Sequence, residues 1–196
     1  PHADHSTGFN YVLDNYEIDQ FLLTNIAYDA VGYQQLLTNL STGSSSIQTA
    51  SGLMTIDLAP CYLDIIYPLV DMSGVVVNNL NNTSIVSKLR CGQLSWLLTG
   101  DIEQTAEQEL LASQIDLSAD FLKIAHHGSN SSSSLDFLQA VNPQLAVISL
   151  GQPNRYNFPH FTVLNRLAEL DIAVWQTAEQ SDLSISSNDL QTWLIK

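Results

Sequence analysis

Apolar positions along this 196-residue chain recur at helical spacing, then at strand spacing, then alternate between the two. The first stretch predicts a short helix over Thr7 to Asn15, a strand over Gln20 to Thr24 and a helix over Ala30 to Leu40. In that second helix Val31, Tyr33, Leu36, Leu37 and Leu40 repeat at helical intervals. Ser-Thr-Gly-Ser-Ser-Ser at 41–46 predicts a loop. Short strands follow over Gly52 to Leu58, Tyr62 to Tyr67, Thr83 to Leu89 and Gln93 to Leu98, punctuated by Pro60, Pro68 and Gly92, which is the pattern of a meander.

Beyond Asp101 the alternation returns. Helices are expected over Ile102 to Ala112, Ser134 to Val141 and Thr162 to Leu170. Strands are expected over Phe121 to Ala125, Leu145 to Leu150, Ala173 to Gln176, Leu183 to Ser186 and Gln191 to Ile195. Meander plus alternation implies a layered α/β domain with helices outside. No internal repeat and no linker-length stretch divides the chain, so one domain covering residues 1–196 is expected.

Composition narrows the partners. Twenty acidic residues against six basic ones leave a formal net charge of −14, and Ser, Thr, Asn and Gln supply the uncharged polar positions. Such a field repels polyanions and opposes the phosphate neutralisation behind general nucleic-acid affinity, so a nucleic-acid substrate needs metal ions or a partner domain for positive charge. No run reaches the roughly 18 apolar residues that cross a bilayer. The chain opens on Pro1 with no basic segment followed by an apolar stretch, so no leader is visible within it.

Two cysteines are too few for a four-ligand zinc site. If the strands around them pair antiparallel, with Asp64 near Ser87, Cys61 falls within a residue or so of Cys91. A disulfide and two separate thiols both remain open at this point, and a bridge would imply an extracytoplasmic compartment.

The chemistry gathers around histidine, of which there are five. His2-Ala3-Asp4-His5 lets a tight loop aim several ligand groups at one point, and His with Asp suits zinc or manganese. Leu97-Leu98-Thr99-Gly100-Asp101 delivers a carboxylate at the end of an apolar strand, as a metal ligand or as a helix N-cap. His126-His127-Gly128-Ser129 follows another strand. Adjacent side chains leaving a strand point opposite ways, so one of the two histidines is expected to enter the site. Gly128 and Ser129 are small enough for a substrate to approach the backbone. His160 closes Asn154-Arg155-Tyr156-Asn157-Phe158-Pro159-His160, as a ligand or as the polar start of a helix. Among scarce cations, Lys123 and Arg155 are the candidates to hold a phosphate oxygen.

His2-Ala3-Asp4-His5 resembles the end of the His-x-His-x-Asp-His signature of the metallo-β-lactamase fold, whose first His would lie before Pro1. Leu122 to Ser129 resembles the Leu-Lys-x-x-His-His-Gly-Ser form of the subgroup that includes the catalytic domain of the ComEC competence proteins. The likeness extends to Asn81-Asn82-Thr83-Ser84, Asn142-Pro143 and Ser149 to Tyr156. It implies a four-layer αββα sandwich lacking its first strands, with the N-terminal part of the domain missing. It implies one or two Zn²⁺ or Mn²⁺ ions held by His2, Asp4, His5, Asp101 and His160. Asp4, His126 and His127 are its implied catalytic residues, with Ser129, Asn154 and Arg155 as substrate contacts.

The chain departs from the usual Asn-x-Tyr-Gly-His-Pro-His at Asn157 and Phe158, which weakens a second metal position if the lost His was the ligand. Asn81 and Asn82 stand where more distant members of the fold carry another His. The implied activity is metal-dependent hydrolysis of a phosphodiester, DNA above all, in a ComEC-like, membrane-associated or secreted setting that includes a membrane channel domain in the full-length protein. Hydrolysis of a small ester or lactone and a non-catalytic domain of the same fold are the alternatives.

Overall fold

The computed structural model describes residues 1–186 together with 194 and 195. Its centre is a seven-stranded sheet of β3 (Met54–Leu58), β4 (Cys61–Tyr67), β5 (Val86–Cys91), β6 (Leu94–Leu98), β7 (Phe121–Lys123), β8 (Leu145–Ile148) and β9 (Ala173–Gln176), in that spatial order. From β3 to β6 the pairing is antiparallel; from β6 to β9 it is parallel. The switch follows from loop length, because parallel neighbours need a crossover and these carry helices: α3 (Gln104–Ala112), α4 (Leu135–Val141) and α5 (Phe161–Glu169).

Strand alternation assigns the two faces. Leu97, Leu122 and Ala146 stand side by side in register and join Ile102, Leu110, Phe137, Leu138, Val163 and Leu167 in the main core. Trp96, Phe121, Leu145 and Val147 line the opposite face, where Trp175, Leu183 and Ile185 pack. There β10 (Ile185–Ser186) pairs with β11 (Leu194–Ile195). Of the strand expected over 191–195, residues 191–193 lie outside the described residues.

A third apolar cluster joins α1 (Ala3–Asn15), β1 (Gln20–Leu23) and α2 (Val31–Thr42) through Leu23, Tyr33, Leu36 and Leu40. β1 pairs parallel with β2 (Ser46–Thr49), a strand the sequence reading did not anticipate. Val31, expected in the buried stripe, opens α2 and is 85% exposed, whereas Tyr33, Leu36 and Leu40 are buried. A one-turn helix α6 (Thr177–Gln180), also unanticipated, follows β9. Cys61 and Cys91 face each other across β4 and β5 and form a disulfide, with Asp64 opposite Lys88, one residue on from the expected register.

The fold is therefore mixed α/β in layers, as expected. Among the described residues, the paired strands beside the large sheet are the two-stranded ladders β1–β2 and β10–β11.

Candidate metal centre

Open parallel sheets collect ligands beyond the carboxyl ends of their strands, and here the chemistry lies just there. Asp101 follows β6, His126 and His127 follow β7, and Ser149 follows β8. α1 brings Asp4 and His5 to the same place in its first turn, rather than from the loop expected before a helix at Thr7.

Asp101 is held by its turn. Gly100 has φ +54°, and a Cβ there would lie 2.7 Å from Ser84 Cβ, so glycine lets the strand end fold against the Ser84 segment. The Asp101 N–H donates to Ser84 Oγ at 3.1 Å. Lys123 Nζ, partly buried, donates to the Gly100 carbonyl at 3.1 Å, so it braces this turn and places a cation beside Asp101.

The ligand atoms of Asp4, His5, Asp101 and His127 all lie within 4.8 Å of one another. His5 Nε2 lies 2.8 Å from Asp101 Oδ2, and His127 Nε2 lies 3.7 Å from the same oxygen and 4.0 Å from Asp4 Oδ2. His127 Nδ1 lies 2.6 Å from the Ser149 carbonyl, which only accepts, so Nδ1 carries the ring proton and Nε2 offers its lone pair to the group. Burial pushes the Asp101 carboxyl up, but the hydrogen bond from His5 and the charges of His5, His127 and Lys123 reverse this and hold it near 2. The same hydrogen bond raises His5 above the ordinary imidazole value, against its own burial.

Two carboxylates and two imidazoles form a donor set for zinc or manganese. Asp101 Oδ1 supplies a separate test of fit: it is buried and has no hydrogen-bond partner. An ionised carboxylate oxygen left so is costly unless a cation meets it. Donors bound at about 2.0–2.2 Å to one ion stand no more than about 4.4 Å apart, so small inward shifts would close the group on a metal.

The other expected site residues lie around this group. His2 lines the same cleft, with its ring against Tyr28 at 6.2 Å, outside the four-residue group. His160 also lies outside it; its Nδ1 accepts from Thr162 N–H at 3.3 Å and caps α5, while its own N–H donates to the Gly128 carbonyl at 2.8 Å. Ser129 is buried and bonds to Ser131 Oγ at 2.9 Å, bracing the turn after His126. Asn154 clasps its own loop through Phe158 N–H at 2.9 Å and the Phe158 carbonyl at 2.8 Å. Arg155 lines the cleft with Asp4, Asp101, His126 and His127, and its guanidinium reaches the Tyr156 hydroxyl.

His126 and His127 separate by backbone turn, because both adopt left-handed conformations, at φ +48° and +53°. The chain has left the strand at Lys123, so strand alternation does not govern them. His127 enters the group. His126 Nδ1 instead meets Glu103 Oε1 at 3.1 Å. Sequence reasoning missed Glu103; the one available signal is a second carboxylate two residues beyond Asp101.

No family model matches the chain. Curated relatives do. ComE operon protein 3 of Bacillus subtilis is 41% identical over 103 residues, 53% of this chain and 13% of that protein. Competence protein ComA of Neisseria gonorrhoeae is 38% identical over 98 residues, 50% of this chain and 14% of that protein. Over these stretches the chain is similar to competence proteins. Recombination protein 2 of Haemophilus influenzae is likewise 34% identical over 120 residues, 61% of this chain and 15% of that protein. The matched stretch thus spans a small part of each relative's length. Among solved structures, a Thermotoga maritima protein of the metallo-β-lactamase superfamily covers 75% of the chain and 68% of its own, at 9% identity and a TM-score of 0.36, a likeness too slight to carry argument.

Proposed function

We propose that this chain is a metal-dependent hydrolase of phosphodiesters, with DNA as its substrate in a ComEC-like context. The observation that carries the reading is the convergence of Asp4, His5, Asp101 and His127 around a buried, unpartnered Asp101 oxygen. His2 lines the same cleft outside this group, and His160 caps α5.

Zinc or manganese bound there supplies Lewis-acid polarisation of the phosphoryl group and hydroxide near neutral pH. Asp4 and Asp101 orient the attacking water, and Arg155, at the cleft wall, holds a non-bridging phosphate oxygen. His126 delivers a proton to the leaving oxygen. The competence name of one relative fits DNA as the substrate, and the partner proposed with it is a membrane channel domain in a longer protein. The Cys61–Cys91 bridge supports an extracytoplasmic, membrane-associated or secreted location.

One observation favours a second reading. A net charge of −14 opposes long nucleic acids, and the cleft beside His127 is walled by Leu150, Tyr156 and Phe158, which suits a small ester or lactone. Cleavage of end-labelled single- and double-stranded DNA with added Mn²⁺, beside Asp101→Ala, decides between them. DNA cleavage that vanishes in the variant supports the phosphodiesterase. Intact DNA with hydrolysis of a lactone by the same metal-loaded protein moves the assignment to the second reading, and intact DNA and lactone leave a non-catalytic domain.

A further inference from the structure

The cleft that holds Asp4 and Asp101 shares a wall with the apolar cleft beside His127. His127, Tyr156 and Phe158 line both, so the two aromatic rings border the ligand group on one side and the apolar space on the other. That space has a volume of about 320 Å³, at the small end of the roughly 300–1,000 Å³ of small-molecule sites. The rings form a pair, with centroids 5.5 Å apart and planes inclined by 21°. Tyr156 is 58% exposed, a large ring surface left to solvent. The Arg155 guanidinium lies over Tyr156, 4.8 Å from the ring centre, and Arg155 lines the cleft of the ligand group.

This loop is anchored to the residues of the centre. Asn154 takes both backbone groups of Phe158, accepting its N–H at 2.9 Å and donating to its carbonyl at 2.8 Å. Pro159 packs so closely on Gly128, the residue after His127, that a methyl there would lie 2.7 Å from the Pro159 Cβ. The His160 N–H closes on the Gly128 carbonyl at 2.8 Å. The Phe158 ring in turn meets His126 edge-on at 5.7 Å. The rings therefore keep a fixed place beside the ligand group.

From this arrangement we infer that Tyr156 and Phe158 form a stacking subsite for an unpaired nucleobase, which directs the centre to single-stranded rather than duplex DNA. The inference rests on the phosphodiesterase reading for the identity of its ligand. Every base has a π-face, and stacking on aromatic side chains holds single strands with little regard to sequence. In a duplex both faces of a base are covered by its neighbours, so the rings could take one only after unstacking and unpairing it. Arg155 joins the two parts of a nucleotide: it touches Tyr156 and reaches the cleft where the phosphate would lie. Charge favours the same occupant. At a net charge of −14 the chain gains little from a long phosphate backbone, whereas a base brings no charge of its own.

Aromatic carbon-13 NMR of the metal-free protein, titrated with deoxyadenosine and separately with deoxyribose 5-phosphate, reads the subsite without any need for activity. Deoxyadenosine should shift the Tyr156 and Phe158 ring signals in a saturable way, and the base-free phosphate should leave them in place. Unmoved rings, or equal shifts with both probes, would overturn the subsite.

Kinetics with Mn²⁺ on a single-stranded oligonucleotide and on its duplex supply the second arm. Phe158→Leu keeps apolar bulk and removes the ring face; Tyr156→Ala alters an exposed residue that the fold does not need. Each should raise KM on the single strand by about 5- to 150-fold, the range that stacking one base on an aromatic ring supplies, with little change in kcat. Phe158→Tyr should restore the wild-type value. Wild type should prefer the single strand, and both ring-deleted variants should lose that preference. Single-strand cleavage with KM unmoved in both variants would overturn the subsite and leave the phosphodiesterase standing. Rings that respond to deoxyadenosine in a protein that cleaves neither DNA would defeat the phosphodiesterase reading and leave the subsite standing.

Discussion

Asp101 depends on a neighbour that carries no side chain. Gly100 sits at φ +54° with Ser84 Cβ 2.7 Å from where a methyl would stand, so Gly100→Ala meets both backbone strain and a clash. An alanine forced to positive φ costs more than about 1 kcal/mol. Urea unfolding should show at least that loss, and Mn²⁺ affinity should fall because Asp101 moves with the turn. Away from the centre, Lys88 donates to Asp116 at 2.8 Å; that bond and those from Ser118 outweigh a small burial effect and hold the Asp116 carboxyl near 2. A lowered carboxyl contributes stability above its unfolded value, near 3.9, and loses it as pH falls toward 2. Asp116 is largely exposed, so the contribution is under about 1 kcal/mol. Wild type and Asp116→Asn should differ in urea midpoint at pH 5 and converge near pH 2.

At the scale of elements, much was legible in the sequence. Pro60, Pro68 and Gly92 mark the meander boundaries, and the apolar rows of β6, β7 and β8 need no tertiary knowledge to find. β2 was hidden because its residues, Ser46 to Thr49, bury little and show no alternation of apolar and polar positions. Asp4 and His5 were read as loop because polar first-turn residues leave no helical stripe, yet α1 begins at Ala3. The histidine pair was misread in geometry for a different reason. Two successive left-handed residues that are not glycine carry no sequence mark, and strand alternation cannot assign them. Glu103 became legible only when the Asn79–Asn82 turn was seen to fold over it. α4 shows what holds these loops in place: Phe137 is 1% exposed, in the core that also takes Leu122 and Ile124 just before the histidines. Phe137→Ala should destabilise by about 3–5 kcal/mol, measured by urea unfolding.

Across the whole molecule, the chemistry and the covalent staple lie at different strands of one sheet. The Cys61–Cys91 bridge ties β4 to β5, while the candidate metal centre lies beyond the ends of β6 and β7. Reduction should therefore lower stability by about 2–4 kcal/mol and leave Mn²⁺ affinity nearly unchanged, as chemical denaturation and metal titration with and without reductant would show. A parallel loss of affinity would mean that the sheet transmits the staple's constraint to the site. A chain with a net charge of −14 nonetheless places two of its cations at this centre, Lys123 beside Asp101 and Arg155 at the cleft wall.

The central claim is that Asp4, His5, Asp101 and His127 form one metal site, and calorimetric titration of Mn²⁺ into wild type, His127→Ala and His160→Ala tests it most directly. His127→Ala should lose affinity by at least the about 10- to 100-fold typical of outer-shell changes, while His160→Ala, altering only a helix cap, should bind as wild type does. Undiminished binding by His127→Ala, with loss in His160→Ala, would contradict the account.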